Sequence, residues 1–177
     1  MAKRKTTTSN KKTTTERNTL MSLSDNPISV ANQPTELKLE TKGNTQITGN
    51  VGMFYVSFRL SLLGYNVIPT SRNTKGIDLI VHNENATKMV GIQVKCLSRK
   101  SDVPLGKHKD LSHLIGEVWC IVVKNTTIVP DVYVLTLDEV KAGTHMAKDS
   151  SNWLGYKNFA KQEFHNRWSI ITDRLNS

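Results

Sequence analysis

The sequence has few cysteines and no long apolar run. Its only two cysteines, Cys96 and Cys120, both lie in apolar, strand-like stretches, where an unpaired thiol behaves as a small hydrophobic group. A disulfide framework and a zinc cage are therefore excluded as organising principles. No apolar stretch approaches the roughly 20 residues of a membrane span, and no apolar core follows the basic N-terminus as it would in a signal peptide. We therefore expect a cytosolic protein with no membrane partner.

Acidic residues are also scarce relative to basic ones. Lys and Arg total 24 against 15 Asp and Glu, which gives a net charge of +9. A chain with this charge is attracted to polyanions before any specific contact forms. The balance favours nucleic acid or an anionic surface as partner. With 177 residues, the chain is long enough for one ordinary domain plus a tail, which argues against a two-domain enzyme.

The chain divides near residue 46. Residues 1–46 are Thr-rich and basic at the start, contain no aromatic residue and show little apolar periodicity. Such a segment buries too little surface to offset its ordering entropy, so we predict a disordered tail followed by a domain over 47–177. The tail's basic start is typical of a solvated low-complexity segment and also of a DNA-binding arm, and both interpretations stay open.

Apolar periodicity begins after the tail. Apolar residues at three- and four-residue steps form a stripe on one face of a predicted helix over 50–63, which ends before Gly64. The stripe consists of Val51, Phe54, Tyr55, Phe58, Leu62 and Leu63. Five β-rich runs follow, at 65–70, 77–82, 89–96, 118–123 and 131–136. One early helix, about five strands and two late helices predict an α/β or α+β sheet domain.

Turn and cap signals connect these elements. Turn-forming residues over 82–88 join the second and third runs, so these two strands are predicted to pair as an antiparallel hairpin. Thr136, with Glu139 three residues later, forms a predicted capping box that opens a short helix through Val140. The stretch NFAKQEFHNRW at 158–168 predicts a last helix or turn.

The residues that could carry chemistry are Asp78, Gln93 and Lys95. Strand side chains alternate between faces, so Gln93 and Lys95 point to one side while Ile92 and Val94 point to the other. In the predicted hairpin, Asp78 at the start of one strand lies opposite the part of the other strand that holds Lys95. A carboxylate, an amide oxygen, the Val94 carbonyl and an ammonium would then converge.

These groups suit hydrolysis of a phosphodiester bond. Mg²⁺, with Mn²⁺ as an alternative, prefers oxygen ligands and is often held by one carboxylate, neutral oxygens and a substrate phosphate. Such an ion polarises the phosphate and lowers the pKa of an attacking water, while Lys95 would orient that water and stabilise the developing charge. An Asp and a Lys on exposed strand faces are also common as plain solvated residues, and that interpretation stays open.

The same residues lie in a pattern with a known likeness. A helix and a strand precede GIDLIV at 76–81, and GIQVKC follows at 91–96. This order resembles the core of the PD-(D/E)XK nuclease superfamily, in particular its small prokaryotic members. VWCIVV at 118–123 and DVYVLT at 131–136 continue the likeness. It covers most of 47–177 and none of the tail.

The resemblance implies a restriction-endonuclease-like α/β core, with a mixed central sheet of about five strands flanked by helices. It also implies roles for three residues. Asp78 matches the family's metal-binding Asp, Gln93 takes its Glu or Gln position, and Lys95 matches its catalytic Lys. The metal ligands would then be Asp78, Gln93 and the backbone carbonyl of Val94.

Two departures from the family pattern weaken the metal site. Gln93 stands where a carboxylate is more usual, and Met53 in GNVGMF stands where similar members carry an acidic residue. With Asp78 as the one obvious carboxylate, metal affinity should be lower than in a site with two or three. Asn50 could supply another oxygen, although capping the helix is its simpler role. A binding-only descendant of the fold therefore stays open.

Basic residues in predicted loops flank this site and could neutralise backbone phosphates. They are Arg72, Lys75, Arg99, Lys100, Lys107 and Lys109. We expect DNA as the partner and, as the leading function, a metal-dependent DNA endonuclease of restriction, repair or mobile-element type. The alternatives are a catalytically weak DNA-binding module on the same fold and an interaction protein whose basic tail docks on an acidic partner. A homodimer also stays open.

Overall fold

The computed structural model describes residues 45–71, 75–123 and 129–177. The predicted disordered tail falls outside these residues, except that Thr45 and Gln46 belong to the first turn of the first helix. Within the described chain, no helix is both long enough and apolar enough to cross a membrane. The helices are α1 (Thr45–Leu62), α2 (Leu137–Ala142), α3 (Tyr156–Phe159) and α4 (Ser169–Asn176). The strands are β1 (Asn66–Pro69), β2 (Leu79–His82), β3 (Met89–Leu97), β4 (Val103–Gly106), β5 (Val118–Val123), β6 (Asp131–Thr136), β7 (Thr144–Met146) and β8 (Asn152–Leu154).

The main sheet has five strands in the order β1-β2-β3-β5-β6. The β3–β5 pair is parallel and the other pairs are antiparallel, so the sheet is mixed, as predicted. The predicted hairpin between β2 and β3 is confirmed, with Leu79 opposite Ile92 and His82 opposite Met89. All six residues of β5, VWCIVV, are buried, which is typical of a central strand covered on both faces.

The side chains of the sheet alternate between its two faces and contribute to two apolar clusters, one on each face. Val94 and Cys120 point toward the cluster that contains Val56 and Leu60 of α1, together with residues of α4. Trp119 and Ile121 point the other way, toward the cluster under α2, α3 and β8. Because a strand's side chains alternate, a single apolar run such as β5 supplies both clusters.

The packing of α1 differs from a simple amphipathic helix. Its buried residues are Gly52, Val56 and Leu60, whereas Phe54 and Phe58 of the predicted apolar stripe are 61% and 57% exposed. The helix approaches β3 closely at Gly52, where an added Cβ would lie 2.5 Å from the Cβ of Cys96. Gly52 allows this approach, and Phe54 and Phe58 are left on the outer side of the helix.

The second half of the chain contains elements that the sequence pattern did not predict. A second sheet has three short strands in the order β4-β8-β7, and the last helix is α4. The stretch 158–168, predicted as a last helix or turn, contains the end of α3 and a 3-10 turn over Gln162–Phe164. The predicted capping box is present: Glu139 N donates to Thr136 Oγ1 at 3.3 Å, and Thr136 N donates to Glu139 Oε2 at 2.8 Å.

Candidate functional site

Asp78 lies at the head of β2, where backbone hydrogen bonds on both sides hold it in place. Its amide donates to the carbonyl of Ile92 on β3 at 2.8 Å, and its carbonyl accepts from the amide of Thr70 at 2.9 Å. The hydroxyl of Thr70 donates to the carbonyl of Ile77 at 2.6 Å. These bonds continue the β1-β2-β3 ladder by one residue, so the position of Asp78 is set by the sheet.

The carboxylate of Asp78 is bound to β3 through one oxygen. Oδ2 accepts a hydrogen bond from the backbone amide of Val94 at 2.7 Å and another from the side-chain amide of Gln93. Within the described chain, Oδ1 accepts no hydrogen bond. The Gln93 amide nitrogen also lies 3.3 Å from the carbonyl oxygen of Val94. The Gln93 side-chain amide therefore lies within hydrogen-bonding distance of two other predicted ligand groups, the Asp78 carboxylate and the Val94 carbonyl.

An open cleft of about 650 Å³ lies between Asp78 and the first half of α1. Its walls come from α1, from the segment after β1, and from Asp78 and Val94. They are lined by Gln46, Gly49, Asn50, Met53, Phe54, Thr70, Ser71, Asp78 and Val94. Met53, the residue that departs from the family's acidic position, thus lines the same cleft as Asp78.

Gln93 and Lys95 point to the other side of β3 and line a second pocket of about 300 Å³. This pocket has both basic and apolar side chains in its lining. It is lined by Lys75, Gly76, Gln93, Lys95, Leu105, His108, His113, Leu114 and Trp119. The hydrogen bond from Gln93 to Asp78 therefore links a residue that lines the second pocket to one that lines the cleft. The structure thus brings Asp78 and Gln93 into contact. Lys95, two residues after Gln93, lines the second pocket and not the cleft beside Asp78, so the predicted convergence of all four groups in one space is not observed.

Burial and nearby charge act on Asp78 in opposite directions. Desolvation in the half-buried position raises the pKa of the carboxyl above its ordinary value, while the Val94 hydrogen bond and then the charge of Lys95 oppose the rise. The ammonium of Lys95 is therefore close enough to act on the carboxylate, although the two form no ion pair within 4.0 Å. A cation placed against this carboxylate would relieve part of its desolvation penalty.

The donor set near Asp78 contains one carboxylate. Among the residues that the structure describes, no group of three or more His, Cys, Asp or Glu side chains is arranged to hold a metal ion. The remaining oxygens are neutral: the carbonyl of Val94, the side-chain amide of Gln93, and Asn50 across the cleft. Such a set suits a hard, hydrated cation that takes further ligands from water or substrate, and it does not suit a closed zinc-type site.

The basic residues predicted to contact DNA have varied positions. Lys75 lines the second pocket beside Lys95, whereas Arg99 and Lys100 are exposed just after β3. Lys107 forms an exposed ion pair with Asp149 at 3.0 Å, and Lys109 lies near it at the edge of a further shallow pocket. Arg72 lies outside the described residues.

Two histidines in the second pocket were not assigned a role from the sequence. The rings of His108 and His113 stack with centroids 3.7 Å apart, and Nε2 of His113 lies 2.9 Å from the carbonyl oxygen of Leu105. The two histidines are five residues apart, a spacing that carries no ligand signal, and their rings meet only because the segment after β4 folds back on itself. The sequence pattern could not have identified this pair.

Comparison with solved structures places the mixed sheet and its helices in a nuclease-like fold. The chain is similar to the structure of a bacterial homing endonuclease, I-Ssp6803I, with a TM-score of 0.51 and 16% sequence identity. The likeness covers 74% of this chain and 95% of that chain. No family model and no curated protein matches the chain. At this identity the likeness shows the fold alone, which agrees with the fold predicted from the sequence.

Proposed function

We propose that this protein is a metal-dependent DNA endonuclease that hydrolyses phosphodiester bonds, with Asp78, Gln93 and Lys95 at its active site. The observation that carries the proposal is the arrangement at the head of β2. There, Asp78 Oδ2 is held by the Val94 amide at 2.7 Å and by Gln93. Among the described residues Oδ1 accepts no hydrogen bond, and Asp78 lines an open cleft. The nuclease-like fold and the net charge of +9 support the same proposal.

The residues present fit Mg²⁺ or Mn²⁺. Asp78 Oδ1 and the Val94 carbonyl would hold the ion, and a half-turn of the Gln93 amide would present its oxygen, since the two ends of an amide differ little in shape. When bound, the ion supplies charge that polarises a phosphate and acidifies a water. One carboxylate implies weak binding in the absence of DNA, because substrate phosphate must complete the ligand set.

The protein side chains then have separate tasks. In its described orientation Gln93 holds the Asp78 carboxylate through its hydrogen bond, and after the half-turn it would instead offer its oxygen to the ion. The Lys95 ammonium donates hydrogen bonds toward the phosphoryl oxygens and stabilises the charge that develops on them. Lys75, in the same pocket as Lys95, binds a neighbouring backbone phosphate.

A catalytically weak DNA-binding module is the second candidate function. The single carboxylate at the site and Met53 on the cleft wall favour it. Both candidates bind DNA through phosphate contacts, so for both we expect affinity to fall steeply between low and physiological salt. Salt-insensitive binding, or no binding at low salt, would instead support an interaction protein with an acidic partner.

Cleavage assays on supercoiled, linear, branched and single-stranded DNA, with Mg²⁺ or Mn²⁺, test the proposal. Asp78→Asn and Lys95→Ala should each reduce the nicking rate by at least about a hundredfold, the effect of removing a few kcal/mol of transition-state stabilisation. DNA affinity should be unchanged or higher in Asp78→Asn and somewhat lower in Lys95→Ala. Asp173→Asn and Lys88→Ala, which change the same charges at exposed positions, should cleave at the wild-type rate.

Variants with an added carboxylate distinguish the endonuclease from the catalytically weak DNA-binding module. Gln93→Glu and Met53→Glu each bring a second carboxylate to the walls around Asp78 and should increase the apparent affinity for Mg²⁺. Cleavage by the wild type that is lost in Asp78→Asn supports the enzyme, whereas an inactive wild type that gains activity from either Glu supports a decayed nuclease. A wild type that neither binds metal nor cleaves, with no response to either Glu, refutes the mechanism.

A further inference from the structure

The outer side of α1 carries a row of exposed apolar side chains, which we call the outer α1 face: Ile47, Phe54, Phe58 and Leu62. These residues are 48%, 61%, 57% and 68% exposed. Large apolar side chains occur singly on most protein surfaces, but a contiguous row on one helix marks a contact surface.

Helical geometry places the outer α1 face opposite the core. At about 100° per residue, Phe54, Phe58 and Leu62 fall within one narrow sector, and the buried Val56 and Leu60 fall on the far side. The helix is therefore apolar on two opposite sides, and the domain's own core needs only one of them. A second apolar surface can therefore pack against the outer side.

The outer α1 face is also uncharged, in a chain whose net charge is +9. Its helix contains no acidic residue and one basic residue, Arg59. The Arg59 guanidinium lies over the rings of Tyr55 and Trp168, 6.0 and 5.8 Å from their centroids, away from the apolar row. A neutral face attracts neither DNA phosphates nor an acidic protein. It is the part of such a basic chain where two identical copies approach with little repulsion.

The exposed area matches the need of a dimer. A phenylalanine side chain presents on the order of 200 Å², so the outer α1 face presents roughly 400 Å² of apolar surface in all. A standard interface buries about 800 Å² per partner, a little over half of it apolar. The outer α1 face thus supplies nearly the whole apolar share of one side of such an interface.

We propose that two copies of this protein form a two-fold symmetric dimer through their outer α1 faces. In a symmetric pair the same patch serves both partners, so each row of apolar side chains covers the other. Phe54 also lines the cleft beside Asp78, and the two clefts therefore flank the interface. The dimer does not depend on the proposed function, and it is measured in the absence of DNA.

Sedimentation velocity over about 1–100 µM protein tests this dimer. We expect the wild type to sediment as a dimer in the upper part of that range. Phe58→Ser with Leu62→Ser should weaken the dimer by at least about a hundredfold, because it removes two of the four apolar side chains of each outer α1 face. The matched control, Met89→Ser with Met146→Ser, removes two side chains that are 55% and 54% exposed elsewhere and should dimerise like the wild type.

Salt separates this association from DNA binding. Raising the salt concentration should leave the dimer unchanged or strengthen it, since its face is apolar and uncharged, whereas DNA binding should weaken. A wild type that stays monomeric at 100 µM overturns the proposal. The urea midpoints are compared at a protein concentration low enough for both variants to be monomeric, because dimer formation alone would raise the midpoint of the control. A lower midpoint of the double Ser variant under these conditions means that the face is covered within one chain, which overturns the proposal as well. The proposal is also overturned if the double Ser variant dimerises as strongly as the control.

Discussion

Gly52 lets α1 approach β3, and substituting it tests the packing on which the cleft depends. A Cβ added at Gly52 would lie 2.5 Å from Cβ and 2.9 Å from Sγ of Cys96. Gly49, one turn earlier on the same helix, has no atom within 4 Å of the same added group. Gly52→Ala and Gly49→Ala are therefore the same chemical change, and they differ only in what the new methyl group meets.

The two substitutions should have opposite effects on stability. Replacing Gly by Ala inside a helix stabilises it by about 0.5–1 kcal/mol, and this should be the whole effect at Gly49. Overpacking costs about 1–3 kcal/mol. At Gly52 the cost should lie in the upper part of that range, because the Cys96 Cβ is attached directly to the β3 backbone. The expected net loss for Gly52→Ala is about 1–2 kcal/mol, some 2–3 kcal/mol below Gly49→Ala.

Urea unfolding followed by far-ultraviolet circular dichroism gives both free energies of unfolding. Adding Cys96→Gly to Gly52→Ala removes both atoms of the clash, so the double variant should lose less than the sum of the single losses. Equal stability of Gly52→Ala and Gly49→Ala would refute the close approach of α1 to β3. The cleft geometry derived from that approach would fail with it.

Two further predictions concern ionisation. Since the pKa of Asp78 is raised in the folded state, ionising it costs folding free energy, and its contribution to stability falls as pH rises above the ordinary carboxyl range. Asp78→Asn should therefore be at least as stable as the wild type at pH 7, with an advantage in urea midpoint that shrinks toward pH 4; an advantage that grows toward low pH would contradict this. Burial raises the pKa of the Cys96 thiol to about 12, so its alkylation by iodoacetamide at pH 8, followed by mass spectrometry, should be on the order of a thousandfold slower than that of an unperturbed thiol. A rate near that of the unperturbed thiol would show that Cys96 is more open than its packing against α1 implies.

The main sheet could be predicted from the sequence because its strands are long or strongly apolar. VWCIVV and DVYVLT form β5 and β6 at the predicted bounds, and the turn over 82–88 correctly predicted the β2–β3 hairpin. The second sheet could not be predicted in the same way. Its strands are VPLG, THM and NWL, none of which contains two β-branched residues. The equally short strands NVIP and LIVH of the main sheet each contain two, and this is the composition that predicts a strand.

The face of α1 that packs on the sheet could not be predicted from the apolar periodicity either. The strongest apolar stripe of the sequence contains Phe54, Phe58 and Leu62, yet Gly52, Val56 and Leu60 are the residues that pack on the sheet. Apolar periodicity identifies the most hydrophobic face of a helix. Close packing against a strand also favours small residues such as glycine, which periodicity does not count. Where a helix is apolar on two sides, only the partner surface decides which side is buried.

The proximity of Asp78, Gln93 and Val94 followed from strand alternation and the hairpin alone, since both place these groups without long-range information. The division of the site into a cleft and a second pocket did not, because it depends on α1 and on the loop that carries His108. The cleft and the second pocket lie on opposite sides of β3, and this arrangement depends on contacts between elements that are distant in the sequence.

Four consecutive residues of β3, from Gln93 to Cys96, connect these features. Gln93 and the Val94 amide hold the Asp78 carboxylate, and Lys95 adds the positive charge that acts on it. Cys96 sets the distance to Gly52 and thereby the position of Met53, the next residue, on the cleft wall. Any shift of α1 against Cys96 must therefore change the width of the cleft beside Asp78 without touching the carboxylate. If the protein is the nuclease proposed above, Gly52→Ala should therefore slow cleavage more than its loss of stability explains. Gly49→Ala, which also borders the cleft but meets no atom, should slow it less.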